Sequence, residues 1–248
     1  MTNISKLIDS HLDEAIAQLS DYVALASVAA QKQAIPETAE FVRGMLEGVG
    51  ATAEILPKEK PGNPVVLGEL PGESAATLLL YNHYDVQPAE PFDLWTGPPF
   101  EQRRDGDRLF GRGISDNKGH LISRLLAIRC LQEVLPGKDG KLPVTIKFLI
   151  EGDEEIGSPM LEEFVLKHRE RLASDVCLHE GGGVNAGGRP HVSLGVKGIL
   201  AIQLRVRTAK RDSHSSLGAT VPNAAWRLVW ALATLKDPDE RIRIPGFY

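Results

Sequence analysis

Cysteine is almost missing from this chain: Cys130 and Cys177 are the only two in 248 residues. They build neither a disulfide framework nor a cysteine-based zinc site, and they fit a reducing, cytoplasmic compartment. Long apolar runs are missing too. No stretch approaches the roughly 20 residues that a bilayer-spanning helix needs. The N-terminal segment carries Asp9, Asp13 and Glu14 and has no apolar signal-peptide region. The Asn3-Ile4-Ser5 glycosylation sequon is therefore discounted. Excess positive charge is also missing. Lys and Arg number 28 against 33 Asp and Glu, a net charge of −5, so nothing electrostatic argues for nucleic acid or an anionic membrane as partner. Phosphate-loop, zinc-finger and nucleophile-elbow patterns do not occur.

What is present is an ordinary globular composition, 42% hydrophobic and 25% charged, enough for a sizeable core. Ile4, Leu7, Ile8, Leu12, Ala15, Ile16, Leu19, Tyr22 and Val23 fall at helical spacing. Pro36-Glu37-Thr38 opens a second helix that ends at Gly48 or Gly50. Short strands are expected at Ala53–Leu56, Val65–Leu70 and Thr77–Tyr81. A long Pro-rich loop over 86–108 follows, of the kind that is usually functional. A helix then runs from about Leu121 to before Pro136. Val144–Ile150 reads as a buried strand, Ser158-Pro159 as the start of a helix, and Asp175–Leu178 as a further strand. Strands alternating with helices predict a layered α/β domain with a largely parallel sheet and flanking helices over residues 1–196. After Gly195-Val196-Lys197-Gly198 the pattern changes. Ile199–Thr208 alternates like an exposed strand and Pro222–Leu235 reads as a helix, so 197–248 is expected to begin an α+β second domain.

The chemistry-bearing residues recur where strands stop, which is where ligands sit in open α/β sheets. His83 and Asp85 follow Leu78–Tyr81, at a spacing that lets Asp85 hydrogen-bond the second ring nitrogen of His83. Asp116 lies in a Gly-rich turn before a helix. Glu154 and Glu155 follow Val144–Ile150, and Glu180 follows Asp175–Leu178. Singly, each has a plainer reading: a structural histidine, a helix-capping turn, a solvated acidic loop, mere surface. Jointly they are nitrogen and oxygen donors arriving from four segments, as zinc accepts. Carboxylates converging without a cation could not all stay ionised, and one or two divalent ions remove that problem. Gly181-Gly182-Gly183-Val184-Asn185-Ala186 matches a dinucleotide fingerprint, but Gly187-Gly188-Arg189-Pro190 cannot open the helix that motif requires, so a loop is expected.

Three segments, Tyr81–Pro88, Gly111–Gly119 and Glu151–Ser158, together with Cys177–Glu180 and Ser213–Ser215, resemble the dinuclear zinc metallopeptidases that include cytosolic carnosine dipeptidase, glutamate carboxypeptidase and aminoacylase (peptidase family M20). Val86-Gln87-Pro88 looks most like the dipeptidase branch. The resemblance implies a hydrolase that cleaves the amide of a dipeptide or N-acyl amino acid with a metal-activated water. His83 and Glu180 would bind one zinc ion, Glu155 the second, and Asp116 would bridge them, with Mn2+ or Co2+ as substitutes. Glu154 would be the general base and Asp85 would orient His83. His214 would reach a neighbouring subunit's site and stabilise the oxyanion, which implies a homodimer through a lid domain. The Asp116–Asn117 peptide would be cis. Two departures stand out. Glu180 occupies a position that is often Asp. The chain also stops at Pro245-Gly246-Phe247-Tyr248, inside the expected lid and short of a last metal-binding histidine. The alternative expectation is a truncated, inactive relative or a partner subunit.

Overall fold

The computed structural model describes residues 2–135, 137 and 141–248, without the side chains of Thr2 and Asn3. The Asn3 side chain of the sequon and Pro136, expected just past a helix end, lie outside the described residues. The chain divides into two compact units, Met1–Val192 and Ser193–Tyr248; the sequence reading placed the break after Val196.

The first unit is built on a five-stranded sheet in the order β1-β2-β6-β3-β7. The strands are β1 (Thr52–Leu56), β2 (Val65–Leu70), β3 (Thr77–His83), β6 (Thr145–Glu151) and β7 (Val176–Leu178). Strand β3 pairs in parallel with the central β6 on one side and β7 on the other. The β1–β2 and β2–β6 pairs are antiparallel. The parallel part carries the candidate site.

Strand side chains alternate between the two faces. Leu80, Ile146, Phe148 and Ile150 join the core beneath α1 (Thr2–Ala24), α2 (Ile35–Gly48) and α3 (Gly119–Val134). Leu79, Tyr81 and Leu149 face the other way, with Phe164 of α4 (Leu161–Lys167) and Leu172 of α5 (Arg169–Leu172). The sheet is thus a buried layer between helical layers, which explains the near-continuous apolar runs of β3 and β6. Gly68 lets α2 approach closely, since a Cβ there would lie 2.8 Å from Leu46 Cδ1.

Two features of the 86–108 loop and its surroundings were not legible. A short helical turn forms at Phe92–Leu94, and β4 (Arg103–Asp105) pairs with β5 (Arg108–Phe110) as a hairpin. The glycine-rich stretch opens no helix: β8 (Gly183–Val184) and β9 (Pro190–His191) form a small antiparallel ribbon. In the second unit, α6 spans Ala224–Leu235, with the Asn223 side chain accepting from the Ala225 N–H as an N-cap. The strand expected at Ile199–Thr208 is a correction. No strand is assigned there, because alternation only prepares a segment for a ladder, and none of the described residues pairs with it.

Candidate metal centre

His83 is the last residue of β3 and lies in register with Glu151 at the end of β6. It is fully buried. Its Nδ1 lies 3.0 Å from the Asp85 carbonyl oxygen and 3.4 Å from Asp85 Oδ1. A ring held this way by an Nδ1–H donor presents Nε2 as the free ligand atom. Around Nε2 stand Glu180 Oε2 at 2.9 Å, Asp116 Oδ1 at 3.0 Å and Glu154 Oε2 at 3.9 Å. Donor atoms of His83, Glu154 and Glu180 all lie within 4.8 Å of one another.

The electrostatics suit a bound cation. Burial pulls the His83 ring down, but hydrogen bonding to Asp85 and Glu180 prevails and pushes it up to about 11. The carboxylates therefore draw a proton onto the nitrogen that a cation would occupy. Burial also opposes ionisation of Glu180, yet the contact with His83 holds its carboxyl below the ordinary range. Burial raises the Glu154 carboxyl, with Glu180, Glu155 and Asp116 adding to it against His83. One imidazole nitrogen facing three carboxylates is a donor set that a zinc-like divalent ion accepts.

Asp85 does more than touch His83. Its carboxylate accepts from the Glu154 N–H at 3.1 Å and the Glu155 N–H at 3.0 Å. One buried side chain thereby ties the end of β3 to the acidic turn after β6. Asp116 sits in the turn 114–118, next to a cis Asp116–Asn117 peptide. A Cβ at Gly119 would lie 2.2 Å from the Ile114 carbonyl oxygen, so this tight entry into α3 requires glycine. Lys118 holds the turn from behind: its Nζ donates to the Tyr22 and Leu25 carbonyls at 2.8 and 2.6 Å, at the C-terminus of α1.

Glu155, expected on a second ion, is not among the oxygens around His83 Nε2. Its Oε2 accepts from Gln87 Nε2 at 2.8 Å, and its carbonyl oxygen from the same nitrogen at 3.0 Å. His214 lies in the second unit, exposed, with Nδ1 accepting from the Ser216 N–H at 3.2 Å. In the neutral ring that leaves Nε2 as the N–H donor.

The sequence model of peptidase family M20/M25/M40 matches residues 79–242. The chain belongs to this family. Over 99% of its length it is 33% identical to a Cys-Gly metallodipeptidase of Schizosaccharomyces pombe, covering 54% of that protein. It is 30% identical to a human β-Ala-His dipeptidase, covering 52% of it. In three dimensions it is similar to an M20 metallo-carboxypeptidase of Sulfolobus solfataricus, with a TM-score of 0.84 and 36% identity over 95% of this chain and 52% of that one. The chain spans about half the length of the curated relatives it matches.

Sequence reasoning missed the groups that support this candidate centre. Behind the acidic turn, Lys58 Nζ lies 2.9 Å from Glu151 Oε2 and 2.7 Å from Asp153 Oδ2, all three side chains fully buried. Tyr81 and Ser158 hydroxyls each donate to Glu151 Oε1 at 2.7 Å. Lys58 gave no signal, being one of several charges in a Pro- and Gly-rich loop. Arg124 did give one, since it falls on the same α3 stripe as the buried Leu121, Leu125 and Ile128.

Proposed function

We propose that this chain carries the catalytic centre of a metal-dependent dipeptidase. The observation that carries the reading is the meeting of Glu180, Asp116 and Glu154 oxygens around one free imidazole nitrogen. His83, Asp116 and Glu180 would hold one zinc ion. Glu155, on leaving Gln87, would join Asp116 in holding a second. A bound divalent ion would polarise the scissile carbonyl and acidify water. Glu154 is the nearby carboxylate left for proton transfer. It takes a proton from water and returns it to the departing amine, a role that suits a carboxyl raised by burial. Asp85 fixes both the ring of His83 and the backbone that presents Glu154.

The substrate class follows from the relatives, which are named as Cys-Gly and β-Ala-His dipeptidases. A small dipeptide is the expected substrate. The second unit is read as a lid region through which two copies associate. His214 there offers its Nε2–H to the oxyanion in a neighbouring copy. Cys130 and Cys177 are both free, which suits a cytoplasmic setting. Retention of a base beside the ligands speaks against a non-catalytic relative.

The experiment is Glu154→Gln, assayed for hydrolysis of Cys-Gly and β-Ala-His and for bound zinc. Turnover should fall by about 10²-fold or more with metal content unchanged. Loss of metal together with turnover would make Glu154 a ligand and refute its role as base.

A further inference from the structure

A line of polar side chains runs from helix α3 to the metal centre, and it has a direction. Arg124 Nη1 donates to the Tyr81 carbonyl at 2.7 Å and to Asn82 Oδ1, while Nη2 donates to the His179 carbonyl at 2.6 Å. Guanidinium can only donate. Asn82 must therefore turn its amide oxygen to Arg124 and its NH2 group onward. That NH2 donates to Asn117 Oδ1. Asn117 in turn has only its NH2 left to offer, and it donates to Glu180 Oε2 at 2.7 Å. The same carboxylate oxygen lies 2.9 Å from His83 Nε2. Asn117 Nδ2 also lies 3.4 Å from His120 Nδ1. Both asparagines are fully buried, so water does not set their orientation.

We infer that Arg124, Asn82 and Asn117 form a one-way hydrogen-bond relay that positions the Glu180 carboxylate for the cation. The inference rests on the metal-centre reading and assigns three positioning residues to it. Arg124 does more than fill space on α3. Through its second arm to His179 it also holds the strand end that delivers Glu180. Direction matters because a flipped Asn117 amide would aim its carbonyl oxygen at Glu180, and a flipped Asn82 amide would aim its oxygen at Asn117 Oδ1; either leaves two acceptors facing each other without a proton.

The test reverses the relay with an isosteric change. In Asn82→Asp the new carboxylate accepts from Arg124 and also from the Asn117 NH2, which turns the Asn117 oxygen toward Glu180. Zinc affinity, measured by competition with a chromophoric chelator, should fall by about tenfold or more. The metal-free protein should melt at a lower temperature. Adding Glu180→Gln should relieve most of that melting deficit, because the glutamine NH2 can donate to the reversed Asn117. Adding Glu155→Gln instead, which removes a neighbouring charge outside the relay, should relieve little. Equal relief by both would reduce the effect to charge repulsion and overturn the relay. Wild-type zinc affinity in Asn82→Asp would overturn the positioning role. If Asn82→Asp does not fold, Asn117→Leu carries the zinc arm, with a fall of about tenfold expected and no fall refuting. A wild-type protein that takes up no zinc overturns the metal reading and the positioning role with it, while the melting comparison still judges the relay's direction.

Discussion

Removing the buried ammonium of Lys58 is the sharpest test of how the acidic turn is held. Lys58 faces two fully buried carboxylates at 2.9 and 2.7 Å. In Lys58→Met, Glu151 keeps the Tyr81 and Ser158 hydroxyls. Asp153 keeps the Asn63 N–H at 2.6 Å on Oδ2, and its Oδ1 has no hydrogen-bond partner among the described residues. Two like charges would then share a dry site without a counter-ion. Breaking a buried ion pair from one side costs about 3–5 kcal/mol. For a chain of this size that is roughly 6–20 °C in melting temperature. The deficit should depend on pH, with a definite sign. The stranded pair holds a proton more tightly in the folded than in the unfolded state, so the folded variant binds the extra proton and gains stability as pH falls. Urea unfolding followed by circular dichroism, run at about pH 8 and about pH 5.5, should show a large deficit at the higher pH and a smaller one at the lower. A loss below about 1 kcal/mol, or one that is equal at both values, would refute the account of the triad.

Asp85→Ala should lower zinc affinity by about 10–100-fold, because it removes the carboxylate 3.4 Å from His83 Nδ1 and leaves the Glu154 and Glu155 N–H groups without their acceptor, while the backbone carbonyl of residue 85 stays on the ring; chelator competition measures this, and unchanged affinity would show that the Asp85 side chain does not support the centre. The acid limb of kcat/KM should lie above the ~4.3 of a free glutamate, since burial raises Glu154 and a base must be unprotonated to act. Activity is then lost as pH falls through that raised value, and a limb at or below the ~4.3 of a free glutamate would exclude Glu154. Gly152→Ala should destabilise by about 1–3 kcal/mol, because its Cβ would lie 2.3 Å from the Tyr84 ring; chemical denaturation reads this directly, and a neutral result would mean that Tyr84 moves freely.

Legibility from sequence followed locality. β3 and β6 could be read because an apolar run between turn signals needs no knowledge of its neighbours, and both ran to within two residues of the observed bounds. Helix α2 was visible from Pro36, which the structure places in its first turn. The β4–β5 hairpin was hidden because Arg103–Asp105 and Arg108–Phe110 are short and mostly charged. Ile199–Thr208 misled because period-two alternation describes one strand's faces and is silent about partners. At the centre, His83, Asp116 and Glu180 could be nominated from their positions at segment ends, and the structure gathers them at one nitrogen. The engagement of Glu155 by Gln87 could not be read, being a contact between residues 68 positions apart. The same holds for Lys58 with Glu151, which are 93 apart.

The parallel pairing of β3 also bears on how the chain is made. This strand, among the most apolar in the sheet, ends at His83, yet its partners begin only at Thr145 and Val176. A ribosome adding about 5–20 residues per second would expose it unpaired on both edges for some seconds, and on one edge for about 5–20 s in all. Over that interval β3 is a sticky nascent segment with a free backbone on each side. Translation speed between His83 and Val176, and chaperone capture within that interval, therefore bear on the yield of folded protein.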